Sequence, residues 1–346
     1  MHRDGPALAA AEGTTGTSVN RTMEPNTPLP FASAARRMVA RLRVAACALA
    51  LCAALSGCGR GAGSPMAARS VPAITVSTWN IRWFPSGTPD AQPEIVEREI
   101  IEEAGSQLYA VVPHILCAQE LRDPAAATNL AAAARLEGLR VAVCTDFPLA
   151  PDGVGTQQVA IFSRYPVLAC GAEPWASTAE LALPRGFAWA LLDTPQGPLA
   201  VFSVHLKSNY IPEGLDRDAE RVLNGRRRSE SVRQLCERIP ALLVEHGREN
   251  AAVLVAGDFN SALGDGRFAD ETTFGQLFEA GFTCLYGDNP GDFPVTIGSS
   301  GTQGEATFDY FFARGLTCSV PPKSRRKSWV SDHRLVVAKV RLAQGE

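Results

Sequence analysis

Ala251-Ala252-Val253-Leu254-Val255-Ala256-Gly257-Asp258-Phe259-Asn260 is the stretch from which the rest of the chain is best read. Its apolar run is strand-length and reads as a strand buried on both faces. Gly257-Asp258-Phe259-Asn260 ends it. Alternate residues of a strand share a face, so Asp258 and Asn260 point the same way where the strand stops. A carboxylate and a carboxamide at the edge of a core suit a water, a metal or a phosphoryl oxygen. Gly, Asp and Asn also make ordinary strand-to-loop turns, so the tetrapeptide needs companions.

Outward from it, apolar alternation predicts strands over 71–81, 114–119, 139–144, 158–162, 187–192, 199–206, 307–312 and 335–342. Helical spacing predicts helices over 93–112, with Pro93 in the first turn, and over 125–136, 226–246 and 274–280. Many short strands interrupted by a few helices imply an α/β sandwich: two mixed β-sheets packed face to face, with helices outside, a four-layer arrangement. No linker divides residues 71–346, which read as one catalytic domain.

The preceding segment reads as processing sequence. Basic residues Arg36, Arg37, Arg41 and Arg43 precede an apolar stretch, Val44 to Leu55, too short to span a bilayer but right for a signal-peptide core. It ends Leu55-Ser56-Gly57-Cys58, similar to a bacterial lipobox in which Cys58 becomes lipidated and the preceding residues are removed. Residues 1–57 thus form a signal region, with the signal itself over 38–57. Residues 1–37 read as an over-extended start, and 58–70 as a flexible tether. The expected location is the bacterial envelope, lipid-anchored in the periplasm or at the cell surface. Of the formal charge of -3, the signal region holds six Arg against three acids, so the remainder carries 27 bases and 33 acids, a net of -6. An acidic body argues against binding nucleic acid mainly by charge but allows an enzyme that neutralises phosphate with a metal. Six cysteines remain after Cys58, without a CxxC pair, which weakens zinc and redox readings. Export permits disulfides, with Cys284–Cys318 or Cys144–Cys170 as candidates; small buried thiols are the alternative.

Polar clusters close the expected strands: Trp79-Asn80, Gln119-Glu120, His205-Leu206-Lys207, Asp258 with Asn260, Asp309 within Thr307–Tyr310, and Ser331-Asp332-His333 before the last strand. Strand-end loops are where a rigid sheet displays catalytic groups. Each residue has a plain structural reading as a turn former, surface acid or satisfied core polar group. As a set they supply hard oxygen ligands, as Mg²⁺ or Ca²⁺ requires, and imidazoles that exchange protons near neutral pH. No GxSxG or GxxxxGK[ST] occurs. Acids, imidazoles and a metal without a side-chain nucleophile imply water attacking phosphorus.

In order and wording these clusters resemble the endonuclease/exonuclease/phosphatase superfamily, which includes pancreatic-type deoxyribonuclease, over about Thr75 to Val340. The resemblance implies a two-sheet α/β sandwich with its site at one rim. It implies Glu120 as main ligand of Mg²⁺, or of Mn²⁺ or Ca²⁺, with Asn80 and Asp332 completing the metal site. Asp258 would orient or deprotonate the attacking water, and Asn260 would hold a phosphoryl oxygen. His333, oriented by Asp309, would contact the phosphate, and His205 would be the partner imidazole near the leaving oxygen. His114 stands where the family often has an acid and is expected to be structural. The form His205-Leu206-Lys207 departs from the Tyr-containing pattern of the abasic-site repair branch.

Two basic clusters bear on substrate: Arg226-Arg227-Arg228 in the helix after the His205 loop, and Lys323, Arg325, Arg326 and Lys327 before Ser331. They read either as solvated faces or as phosphate contacts, with Arg228, Arg326 and Lys327 the candidate substrate-binding residues and Trp329 a base-stacking candidate. The expected enzyme is a metal-dependent phosphodiesterase, an exported nuclease with nucleic acid as substrate, anchored to the membrane through Cys58 and acting as a monomer. The rivals are a phosphomonoesterase or phospholipase-type enzyme on inositol phosphates or sphingomyelin, and a non-catalytic envelope binding lipoprotein.

Overall fold

In the computed structural model, residues 71–148, 157–298 and 304–343 are described, all within the unit Arg69–Glu346. The signal region, the tether and Cys58 lie outside them. In chain order the elements are β1 (Ile74–Phe84), α1 (Glu94–Val111), β2 (Ile115–Leu121), α2 (Pro124–Ala134), β3 (Arg140–Cys144), β4 (Gln158–Ser163), β5 (Val167–Pro174), β6 (Gly186–Thr194) and β7 (Gly197–His205). There follow α3 (Arg217–Glu245), β8 (Ala252–Asp258), α4 (Thr273–Glu279), β9 (Thr283–Cys284), β10 (Asp309–Arg314), β11 (Leu316–Cys318), β12 (Lys323–Ser324) and β13 (Val336–Leu342).

One sheet has the order β11-β13-β1-β2-β4-β3, with β12 also on β13; the other runs β5-β6-β7-β8-β10-β9. Each is mixed, because β1 with β2 and β7 with β8 are parallel while their neighbours are antiparallel. The apolar runs follow from burial on two sides. In β2, Ile115 and Cys117 enter the core between the sheets, while Leu116 and Ala118 enter a second core with Ala104 and Leu108 of α1 and Leu130 of α2. β4 divides the same way, Val159 and Ile161 against Ala160 and Phe162. On the other sheet, Val232, Leu235 and Ile239 of α3 and Phe274 and Leu277 of α4 join the larger core. This is the four-layer sandwich expected from the sequence.

Three differences have local causes. α3 starts at Arg217, well ahead of the expected Arg226, because Asp216 caps it through the N–H groups of Asp218 and Ala219. Its first turns are polar and exposed, so no apolar stripe announces them. β5 was not expected; it is an edge strand with one solvent-facing side and no fully buried residue. The candidate disulfides are absent: Cys117, Cys144, Cys170, Cys236, Cys284 and Cys318 are all free. Each candidate pair would join different sheets, Cys144 on β3 to Cys170 on β5 and Cys284 on β9 to Cys318 on β11. His114 is structural as expected: its Nδ1 accepts from the Thr75 N–H at 2.9 Å and its ring stacks on Tyr165.

Candidate active site

Two parallel pairs end at the same rim. β7 and β8 finish with His205 opposite Asp258. β10 runs the other way, so its first residue, Asp309, also stands opposite Asp258. In the facing sheet β1 carries Asn80 opposite Gln119 of β2. Close approach of β7 and β8 requires Gly257. At φ 152° its hypothetical Cβ would stand 2.0 Å from the Val204 carbonyl oxygen. After the strands the backbone turns sharply. Glu120 has φ 61° at a register shift between Gln119 and Leu121, and Asn260 has φ 50°. Left-handed backbone at non-glycine residues is a cost that clusters at functional sites.

Asp258 Oδ2 is the centre of the constellation. It accepts from Asn80 Nδ2 at 2.9 Å and Asn260 Nδ2 at 3.1 Å. The Nε2 atoms of His205 and His333 each lie 3.6 Å from it. Asp258 Oδ1 takes the backbone N–H of Asn260 at 2.8 Å. Glu120 Oε1 accepts from Asn80 Nδ2 at 2.9 Å and lies 3.7 Å from His205 Nε2, while Oε2 takes the Trp83 N–H at 3.1 Å. His333 Nδ1 pairs with Asp309 Oδ2 at 2.8 Å. The His333 segment is fastened to β1: Ser331 Oγ donates to the Asn80 carbonyl at 2.7 Å, and Trp79 Nε1 to the His333 carbonyl at 3.3 Å.

The expected catalytic residues His205, Asp258, Asn260, Asp309 and His333 are therefore together and buried, with Glu120 and Asn80 beside them. Asp332 is half-buried, close enough for its charge to act on Glu120 and His333. Asn80 turns its amide donors to both carboxylates and its oxygen to the Arg82 N–H at 3.0 Å. A half-turn of the carboxamide would offer that oxygen to a cation held by Glu120.

Arg228 is a correction. Its side chain is fully buried, ion-paired to Glu271 and donating to the Lys207 carbonyl at 2.8 Å, so no substrate reaches it. A guanidinium inside a helix–loop junction is kept there by a carboxylate, and this one anchors the loop after β7. Arg326 and Lys327 are exposed, and the Lys327 ammonium lies against Gly298, where a Cβ would stand 3.2 Å from Nζ. Arg185 was missed. At φ 66° it donates to the carbonyls of His205 at 3.1 Å and Leu206 at 2.7 Å, and to Gln157 Oε1 at 3.0 Å. No strand-end motif marks it, since it precedes β6.

Burial and partners sort the titrations. Burial pushes the Asp258 carboxyl up to about 7, against the pull of His333, and Asp309 adds to the rise. Burial also raises Glu120, more than the Asn80 hydrogen bond lowers it. For His333 burial acts downward, but Asp309 and Asp258 outweigh it and hold the imidazolium up to about 10. Burial, with Arg185 and His333 nearby, drives His205 well below the usual imidazole range, so it is neutral. Among the described residues its Nδ1 is buried without a hydrogen-bond partner. Two imidazoles on one carboxylate are thus held in opposite protonation states.

The donor set fits a divalent cation. Burial raises the carboxyls of Glu120 and Asp258, which lie on either side of the Asn80 amide, and a divalent cation beside them would favour their charged forms. Asp258, Asp309 and His333 can bring ligand atoms within 4.8 Å of one another. Asp309 and His333 are already hydrogen-bonded to each other, and the oxygens of Glu120 and Asp332 better suit a hard cation.

Known proteins agree. A sequence profile of the Endonuclease/Exonuclease/phosphatase family matches residues 77–333. An endonuclease/exonuclease/phosphatase from Beutenbergia cavernae DSM 12333 is similar in structure, with TM-score 0.57 and 20% identity over 79% of this chain and 72% of that one. The human nocturnin catalytic domain with bound sulfate gives TM-score 0.53 and 17% identity over 79% and 94%. The mannosyl-6-phosphatase Bt3783 of Bacteroides thetaiotaomicron VPI-5482 gives 0.51 and 15% over 77% and 99%. A comparison with curated proteins gave no match. With the matched span covering every candidate site residue from Asn80 to His333, the chain belongs to the endonuclease/exonuclease/phosphatase family and is a divalent-metal-dependent hydrolase of phosphoric esters.

Proposed function

We propose that this enzyme is an exported phosphodiesterase, a nuclease, that cleaves a phosphodiester by metal-assisted attack of water. The observation that carries the reading is the convergence on Asp258 Oδ2 of two carboxamides and the Nε2 atoms of two imidazoles. Glu120, with Asn80 and Asp332, would hold Mg²⁺, or Mn²⁺ or Ca²⁺, which when bound would neutralise charge on the phosphoryl group and on the carboxylates.

The chain's own residues do the rest. Asp258, poised near neutrality, orients water through Oδ2 and takes its proton. Asn80 and Asn260 fix the carboxylate, and the Asn260 amide also donates to the Leu206 carbonyl at 3.2 Å, so that it would meet a phosphoryl oxygen by giving up one of these bonds. His333 is a cation oriented by Asp309, so its Nε2–H can neutralise the phosphorane and protonate the leaving oxygen. Neutral His205 offers a second ring donor beside the same centre. Arg326 and Lys327 are the proposed phosphate contacts away from the scissile group.

Hydrolysis of bis-p-nitrophenyl phosphate and of DNA, against phosphate release from monoesters, tests the diesterase reading; turnover of monoesters alone would overturn it. We also propose the envelope location and the lipid anchor at Cys58, on the signal-like sequence. Cys58→Ser should move the protein from the membrane to the soluble fraction, and retention in the membrane would remove that cysteine as the tether. Among the described residues no helix is long and apolar enough to cross a membrane.

A further inference from the structure

The C-terminal part of the domain reverses the charge of the body. From Leu316 to Arg341 there are seven Lys and Arg against one acid, Asp332, in a mature chain that is net acidic. The densest part is Lys323 to Lys327. Lys323, Arg325, Arg326 and Lys327 are exposed there, and among the described residues none of the four makes a side-chain hydrogen bond or ion pair. Unpaired clustered cations on a folded edge are a footprint for phosphates.

Two residues further on stands Trp329, 63% exposed between buried Ser328 and Val330. The backbone around it is pinned. Ser328 Oγ donates to Glu103 of α1 at 3.1 Å, and the Arg325 N–H donates to the Leu335 carbonyl at 2.8 Å. The indole is therefore held outward rather than left by a loose loop. An exposed indole presents a flat π face on which a base can stack. The segment also leads to the chemistry: the Lys327 ammonium rests on Gly298, whose N–H donates to the Asp332 carbonyl at 3.3 Å, next to His333.

Resting on the nuclease reading above, we infer that Lys323–Trp329 is a binding track for single-stranded polynucleotide, with the cations following phosphates and Trp329 stacking on an unpaired base. Base stacking on an aromatic needs an exposed base face, which a duplex interior withholds. A lipid surface is the less favoured occupant: the exposed apolar residues of the segment, Val320 and Trp329, are separated by the charged run and make no continuous apolar face.

The test compares turnover of an oligothymidylate with that of bis-p-nitrophenyl phosphate, using the full-length protein and Mg²⁺. Trp329→Ala should lower the ratio of the two rates about tenfold, with Trp329→Phe restoring most of it. Arg325→Ala combined with Arg326→Ala should make the log–log salt dependence of oligonucleotide binding shallower by about 1.4, two phosphate contacts' worth. If the wild type cuts the oligonucleotide and Trp329→Ala leaves the ratio unmoved, the track is wrong and the nuclease reading stands. If the wild type turns over the small diester and DNA but neither binds nor cuts the oligonucleotide, the track falls and the diesterase reading stands; if it turns over only monoesters, the diesterase reading falls as well. Loss of binding to phosphatidylglycerol vesicles in Trp329→Ala, with the ratio unmoved, would assign the segment to lipid and overturn the inference.

Discussion

Asp258 is held between two states by its neighbours, and its protonation should be visible in the pH dependence. Its carboxyl, raised to about 7 mainly by burial, must be ionised to take a proton, so activity falls as pH drops through that region. The His333 imidazolium, held up to about 10 by Asp309 and Asp258 against burial, must be protonated, so activity falls again as pH rises through its value. The two groups are 3.6 Å apart, so the limbs belong to the pair. A bound divalent cation moves the acid limb lower, because positive charge favours the carboxylate. Asp309→Asn should move the alkaline limb down, since the imidazolium loses its largest support; a profile with an unmoved alkaline limb would remove Asp309 from that role. Most of these residues were legible in the sequence because each is a polar residue at or near the end of an apolar run: Asn80 and Glu120 lie towards the ends of β1 and β2, His205 and Asp258 close β7 and β8, and Asp309 opens β10. Arg185 was not, because it precedes its strand and acts through two carbonyls. Arg228 was misread for the converse reason. In sequence it sits in a basic run, and only the fold brings Glu271 to it.

At the scale of elements, the close join of β7 and β8 carries the site. Gly257→Ala would drive a methyl group into the Val204 carbonyl oxygen at a backbone conformation that suits glycine. The expected cost is about 1–3 kcal/mol or more of stability, read as a lower Tm, with a larger loss of turnover because His205 and Asp258 stand in register on those strands. An alanine variant of wild-type stability and rate would show that the strands tolerate separation. α3 makes a second prediction. Removing one partner of a buried ion pair costs about 3–5 kcal/mol, so Arg228→Met should lower Tm strongly while KM for a small diester stays within twofold or so. A raised KM at unchanged stability would return Arg228 to substrate binding. The interior strands were readable because burial on both faces leaves long apolar runs, as in β2, β4 and β8. The edge strand β5 and the short pairings of β9, β11 and β12 were not, since edge strands alternate weakly or are only two or three residues long.

For the whole molecule, two sheets bring residues as distant in sequence as Asn80 and His333 to one rim, where burial raises the carboxyls of Glu120 and Asp258. A divalent metal should therefore stabilise the fold as well as enable the reaction. Mg²⁺ at 100 times its Kd should add about 2.7 kcal/mol, and Glu120→Gln should lose most of that gain. An equal rise in Tm for wild type and Glu120→Gln would place the ion elsewhere. The layered architecture was legible from the mix of short strands and few helices, whereas the separation of the candidate cysteine pairs was not, because sheet membership is a long-range property. The most direct measurement is hydrolysis of bis-p-nitrophenyl phosphate by the purified protein with Mg²⁺, with EDTA, and as Asp258→Asn. Turnover that EDTA abolishes, Mg²⁺ restores and Asp258→Asn lowers by about 10²-fold or more is the expected result. Wild-type turnover that persists in EDTA, or an Asp258→Asn variant that keeps the wild-type rate, would contradict a metal-dependent site centred on Asp258.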